Sequence, residues 1–370
     1  MLRFDRRLIH NFDWVMVVVV LVISAISLAS LFSATWNGGP SPSPIFFKQL
    51  YFFLFGYALI LILISIDYSE LEMLSYLGYG AVCLLLLYTN LFVDSIAGTQ
   101  RWINLGFLRL QPSEPAKLIL VLVLASSYSS NDYVENGYRL RDILRPACIT
   151  AVPFVLILIQ PDLGTALMLA ILFVSMTLFA QLRWSTIGIL GGTGLSCAVM
   201  GWKYGLKAYQ RRRIETFLNP ESDPMNHGYQ IKQSKIAVGS GQGFGKGFME
   251  GTQGHLNFLP ERHTDFAFAV WCEELGFAGS LFFLICFFLM LLWGINIALT
   301  ARDKFGVYLA FGLVMLIFWQ AVINLFMIMG MLPVVGIPLP LFSYGGSSLM
   351  TTLVAIGILM NIRMRRFQTR

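Results

Sequence analysis

The sequence predicts an all-α polytopic membrane protein of about ten transmembrane helices, with one large extracytoplasmic loop between helices seven and eight. Three observations carry that prediction. The 370 residues are 56% hydrophobic and only 12% charged, and a mean hydropathy of +0.69 exceeds what a soluble core of this size needs. The apolar residues fall in successive runs of roughly 20, each long enough to cross a hydrocarbon core of ~30 Å as a helix. Lys and Arg, finally, are shared unequally between alternate loops.

In chain order the runs lie near 14–34, 45–66, 73–93, 114–128, 146–160, 163–182, 186–202, 276–299, 305–331 and 341–362. The fourth, fifth and seventh are the shortest or least apolar. The first is too long for a signal peptide, lacks a small-residue cleavage site and precedes nine more spans, so it is expected to stay in the mature chain. Cys83, Cys148, Cys197, Cys272 and Cys286 stand singly in or beside apolar runs, without CxxC or paired spacing, and read as small buried residues.

Cationic loops are retained on the cytoplasmic side. With the N-terminus inside, the inner segments hold Arg3, Arg6, Arg7, Arg139, Arg141, Arg145, Arg183, Arg302, Lys304, Arg363, Arg365, Arg366 and Arg370. The short outer loops hold only Lys48, Arg101 and Arg109, so both termini are predicted to be cytoplasmic. Residues 203–262 form the large outer loop within a single membrane domain. Its nine Lys and Arg exceed its acids by four, a surface suited to an anionic lipid headgroup or simply to solvent.

This topology brings the unusual polar clusters to one side. Gln100, Arg101 and Trp102 stand there with Gln111 to Glu114, with Gln160 to Asp162, with Glu261 to Asp265, and with the stretches 338–340 and 343–348 that lead into the last span. Ionisable groups at membrane depth cost ~2.5–3.5 kcal/mol each, so they tend to face a cavity or one another. One outward-opening polar site accounts for all of them.

Each cluster also has a plain structural reading. Glu114 and Lys117 share a helix face at i,i+3 and either neutralise each other or orient a substrate; Ser113 can cap that helix and Pro115 can begin it. Asp162 can cap the sixth span, and Arg101 with Trp102 can anchor the interface. The glycine-rich run 239–247 either cradles phosphate through its N–H groups or is a flexible loop. His263 and Asp265 could share a metal, but no further ligand stands at diagnostic spacing, so no protein metal cage is expected. Thr264 or Asp265 could cap the helix that follows.

Taken together, GTQRWINLG, LQPSEPAKL, QPDLGTA, FLNPESDP, GYQIKQSKIAVGSG, GKGFMEGTQ, FLPERHTDFAF, EELG and LPVVGIPLPLFSYGGSS resemble, in order and spacing, the SEDS family of cell-wall polymerases across nearly the whole chain. Arg262 and the stretch 334–338 look like the family's elongation branch rather than its division branch. Pro115 departs from the pattern, where an aliphatic residue is usual. The resemblance implies a ten-helix fold, lipid II as substrate, glycosyl transfer as activity and a class B penicillin-binding protein as partner in the cytoplasmic membrane. Nucleic acid is not an expected partner. The resemblance further implies Asp265 as the essential carboxylate and carries over roles for Glu114 and Lys117; with these two, Arg101, Asp162, Arg211, Lys235, Arg262 and His263 are the candidate substrate-binding positions.

In the family the donor sugar is α-linked to undecaprenyl diphosphate and the product is β-1,4-linked, so one inverting displacement suffices. It needs a base for the attacking 4-hydroxyl and charge stabilisation for the departing diphosphate. Arg101, Lys117, Arg211 and Arg262 are the candidate cations. A divalent ion, Mg2+ or Mn2+, would be held mostly by the diphosphate, and no organic cofactor is expected. A lipid flippase would need a similar cavity, nearer the midplane, and a scaffold for a penicillin-binding protein would use the same outer motifs as an interface.

Overall fold

The computed structural model describes residues 12–36, 42–93, 101–104, 106, 109–130, 137–201, 203, 208–219, 221, 223, 227–255 and 258–367. Gln100, Lys207 and the terminal arginines Arg3, Arg6, Arg7 and Arg370 lie outside the described residues.

The bundle is built from α1 (Trp14–Thr35), α2 (Pro44–Ser65), α3 (Tyr68–Phe92), α4 (Ser113–Ser129), α5 (Leu140–Ile159), α6 (Leu163–Phe179), α7 (Trp184–Met200), α11 (Ala267–Leu299), α12 (Lys304–Ile328) and α13 (Gly346–Met364). Between α7 and α11 lie α8 (Ala208–Leu218), α9 (His227–Ser240) and the single turn α10 (Thr252–His255). A two-stranded hairpin, β1 (Ile103–Asn104) with β2 (Arg109–Leu110), pairs Ile103 with Leu110 ahead of α4.

Local chemistry sets the helix starts. Asp13, Ser43, Asp67 and Asp303 each accept a backbone N–H at the N-terminus of α1, α2, α3 and α12, and Pro44 occupies the first turn of α2. Ser113 does not cap α4 as expected: it is already helical, and the position before it is Pro112, with no side-chain cap. The fifth span begins earlier than 146, at Leu140, where Asp142 takes the Arg139 N–H, so Pro146 lies inside the helix instead of opening it. The Thr150 hydroxyl bonds the Pro146 carbonyl there.

Among the described residues seven helices are long and apolar enough to span a membrane; α4, α6 and α7 have 17 residues each. Two kinds of span explain the difference. α3 is largely exposed to its surroundings, as a lipid-facing helix must be, whereas α4 and α13 are almost wholly enclosed by protein. An enclosed helix can carry Ser, Thr, Glu and Lys because its neighbours replace the lipid as solvent. α12 packs on α4 and α11, α13 on α2, and α1 on α11, which puts α4, α12 and α13 at the centre. α7 touches the bundle along one edge, and between it and α6 lies an apolar recess of about 500 Å3. Of the described cysteines only Cys272 is buried; Cys148 is exposed.

Candidate functional site

All the polar clusters named from the sequence, as far as they are described, meet at one end of the bundle. The segment linking α12 to α13 crosses this end without helical structure. It is held by the Ser27 hydroxyl on the Phe342 carbonyl at 2.8 Å and the Gln49 amide on the Ser343 carbonyl at 3.3 Å. Against it lies the Glu261 to Asp265 turn, where the Glu261 carbonyl accepts the N–H groups of Thr264 and Phe266.

Asp265 sits directly before α11, and it does not cap that helix. The cap position is Phe266, with no side-chain hydrogen bond, while the Thr264 hydroxyl turns back to the Glu261 carboxylate at 2.7 Å. Instead Asp265 is pinned by its backbone: the buried Asn324 amide of α12 donates to the Asp265 carbonyl at 3.0 Å and to the Ile337 carbonyl at 2.8 Å. A side chain begun at Gly336 would stand 3.6 Å from an Asp265 carboxylate oxygen. Among the described residues that carboxylate takes no hydrogen bond. Loss of water around it, reinforced by the Glu261 charge and opposed by Arg213, lifts its pKa to about 7. The neighbouring His263 is pushed below its ordinary value, mainly by burial.

A polar cavity of about 750 Å3 opens beside this turn, walled by Lys48, Trp102, Arg109, Glu261, Thr264 and Tyr344. The Tyr344 N–H donates to the His263 carbonyl at 2.9 Å, joining the cavity wall to the Asp265 segment. Burial raises the Tyr344 hydroxyl above its ordinary pKa, against the pull of Arg109.

Beneath, Lys117 and Glu114 form a buried ion pair at 2.8 Å, with side chains 2% and 5% exposed. Glu114 Oε2 and Ser113 Oγ are buried without a hydrogen-bond partner. Asp162 accepts from the Thr165 N–H at 3.2 Å and the Thr165 hydroxyl at 2.9 Å, so it caps α6. It also receives the Gln111 amide and lies 3.7 Å from the Arg101 guanidinium, which reaches the Gln160 and Pro161 carbonyls as well. Gln111 and Arg109 are in turn tied to Ser347. Arg101 and Asp162 thus fasten the β1–β2 hairpin to the start of α6, and Ser347 fastens it to α13.

The large loop contributes unevenly. Arg211 spends a guanidinium N–H on the Lys203 carbonyl, Arg212 pairs with Asp223 at 3.5 Å, and Arg213 is the arginine whose charge reaches Asp265. Lys235 lies with its alkyl chain over Gly330 at the end of α12. The C-terminal part of the glycine-rich run is docked on α11. Three of its N–H groups bond inward, Gly245 to the Gly241 carbonyl, Lys246 to that of Glu273 and Gly247 to that of Glu274. At Gly241 a Cβ would stand 1.9 Å from the Cys272 carbonyl oxygen, so glycine there serves backbone contact.

Arg213, Arg109, Lys48 and Asn324 are the site's neighbours that sequence reasoning did not select, and Tyr344 entered it only as part of the stretch 343–348. The run of three arginines held a signal for Arg213, but the rotation of α8 decides which one turns inward. Among the described residues no group of three or more His, Cys, Asp or Glu is placed to hold a metal ion.

The family described as FTSW_RODA_SPOVE, cell cycle protein, matches residues 8–368. The chain belongs to this family, the SEDS family. It is 41% identical over 286 residues to the peptidoglycan glycosyltransferase MrdB of Escherichia coli K12, covering 77% of this chain and 76% of that protein. To the peptidoglycan glycosyltransferase RodA of Treponema pallidum it is 31% identical, covering 97% and 99% of the two chains. A chain of a peptidoglycan synthase complex, solved for its coordination of polymerization and crosslinking, superposes with a TM-score of 0.82 at 32% identity over 97% of this chain and 99% of that one. RodA of Thermus thermophilus superposes at 0.71, with 29% identity over 97% and 98%. Within the SEDS family the chain is RodA-like.

Proposed function

We propose that this peptidoglycan glycosyltransferase, an integral membrane protein, polymerises lipid II by inverting transfer with loss of undecaprenyl diphosphate, and that Asp265 is its base. The observation that carries this reading is a carboxylate, beside a polar cavity, that neither caps its helix nor spends its oxygens on a hydrogen bond within the described structure. Raised to about 7, chiefly by burial, the pKa of Asp265 gives the carboxylate a basicity that suits removal of a hydroxyl proton in the transition state.

Asp265 takes the proton of the attacking 4-hydroxyl as the anomeric bond to the diphosphate breaks, with inversion in one displacement. Negative charge grows on the leaving diphosphate. Arg213 beside Asp265, Arg262 in the same turn, and Lys48 and Arg109 in the cavity wall supply the opposing charge. A divalent ion, where one takes part, would be held mainly by the diphosphate oxygens. The Lys and Arg counts favour an orientation with the Asp265 end on the outer face of a bacterial cytoplasmic membrane and both termini inside, so that strands for elongation and rod shape are made on the outer face. A class B penicillin-binding protein is the partner this reading calls for, in keeping with the synthase complex that supplies the structural match at TM-score 0.82.

Purified protein in detergent, alone and with its transpeptidase partner, tests the reading against a flippase and a scaffold. Glycan strands made from lipid II without any membrane to cross, and lost in Asp265→Asn with the partner still bound, are the expected result. Strand synthesis that persists in Asp265→Asn, or its absence from the folded parent complex, would contradict it.

A further inference from the structure

Asp265 is mounted on a broken helix. At Gly276, φ 62° and ψ −158°, α11 leaves helical geometry, so residues 267–275 form a half-helix that the spanning part cannot hold in line. Nine residues are too few to be a stable helix alone. The break is filled from outside: Phe277 and Ala278 donate to the Gln242 and Gly243 carbonyls at 2.8 and 2.9 Å.

The far end of the half-helix carries Glu273, about two turns from Asp265. Its carboxylate is 0% exposed and is used completely. Lys246 Nζ stands 2.5 Å from Oε1, the Thr252 N–H and hydroxyl each donate to Oε1 at 2.9 Å, and the Gln253 N–H donates to Oε2 at 3.0 Å. Lys246 also reaches the Thr252 hydroxyl at 2.8 Å, and its own N–H bonds the Glu273 carbonyl. Next door, Glu274 receives the Ser33 hydroxyl of α1. The loop 241–253 therefore grips one end of the half-helix while Asn324 fixes the other.

We propose that Lys246 and Glu273 are positioning residues of the transferase, whose contact fixes the half-helix that presents Asp265 to the reacting hydroxyl. This rests on the reading of Asp265 as base. A charge-assisted contact to a fully buried carboxylate is stronger than a neutral one and is spent here on orientation. Displacing a reacting group by ~1 Å costs on the order of 10²-fold in rate.

Purified Lys246→Met, Lys246→Arg, Glu273→Gln and Asp265→Asn, assayed with lipid II and melted in the same detergent, test the inference. Lys246→Met should lower kcat ~10–100-fold with KM little changed, Lys246→Arg should restore most of it, and Glu273→Gln should fall between. A Lys246→Met protein with parental turnover per folded molecule and only a lower melting temperature overturns the positioning role. So does a rise in KM alone, which would make Lys246 a substrate contact. An Asp265→Asn protein that polymerises normally refutes the reading beneath and the inference with it. An inactive Asp265→Asn beside an unimpaired Lys246→Met refutes the inference only.

Discussion

The two ends of the bundle are both rich in polar side chains, but they use them differently. At the end away from Asp265, the Asp303 carboxylate caps α12 through the Gly306 N–H, accepts the Tyr68 hydroxyl at 2.9 Å and meets Arg302 at 3.3 Å. Nearby Arg365 donates to the Asn361 side chain and the Ile64 carbonyl. Among the described residues no buried side-chain atom in that half lacks a partner. In the Asp265 half Gln49 Oε1, Ser113 Oγ, Glu114 Oε2, Gln320 Nε2 and Asn324 Oδ1 all do. Each such atom costs ~1–3 kcal/mol. Groups left short of partners collect where a substrate or water can supply them, and groups with full partnerships hold helices together.

The largest effect expected from this contrast is at the buried pair. Lys117→Met leaves Glu114 a lone charge inside the bundle and should cost about 3–5 kcal/mol of stability, read as a fall in melting temperature and yield. Adding Glu114→Gln removes the orphan charge, so the double variant should regain most of the stability. Turnover that stays low in the restored protein identifies a pair that also contacts substrate; turnover that returns identifies a purely structural one.

A second effect is in pH. Asp265 must be ionised to act, so turnover should rise roughly tenfold from pH 6 to pH 8 around its pKa of about 7. Glu261 raises that pKa, so Glu261→Gln should move the acid limb to lower pH. Arg213 lowers it, so Arg213→Gln should move the limb to higher pH. A limb that ignores both variants would mean that another group is titrating.

At the fully partnered end, Asp303→Ala should cost ~0.5–2 kcal/mol for the lost cap and ~1–3 kcal/mol more for the buried Tyr68 hydroxyl left without its acceptor, with turnover per folded molecule unchanged within about twofold. A small effect is also expected from Asp162→Asn, which keeps the Thr165 N–H cap but replaces the oxygen that accepts from Gln111 and the Thr165 hydroxyl and faces Arg101, a loss of ~0.5–1.5 kcal/mol. A large loss of turnover there would make Asp162 a substrate ligand as well as a cap.

Much of this was legible in the sequence because a bilayer imposes length and apolarity on any helix facing it. The runs at 14–34 and 45–66 became α1 and α2 almost residue for residue. α4 was harder to read because protein, not lipid, surrounds it, which removes the selection for apolar residues that hydropathy detects. The convergence of Arg101, Asp162, Glu114 and Asp265 at one end followed from counting spans. Their division of labour did not. Whether a carboxylate caps a helix, as Asp162 does, or stands free before one, as Asp265 does, depends on a turn geometry that the residue types leave open. The docking of the glycine run was hidden for a similar reason: phosphate binding and backbone docking both call for glycine, and the close approach to α11 at Gly241 and Gly276 appears only in the fold.

The central claim is that Asp265 is the base, and Asp265→Asn tests it most directly because asparagine keeps the size of the side chain and cannot act as a carboxylate base at neutral pH. Expression, melting temperature and partner binding should match the parent, since Asp265 caps nothing and is held through its backbone carbonyl. Glycan synthesis from lipid II by the purified protein should fall by ~10²–10⁴-fold. Polymerisation within a few-fold of the parent would contradict the account and move the search to Glu114.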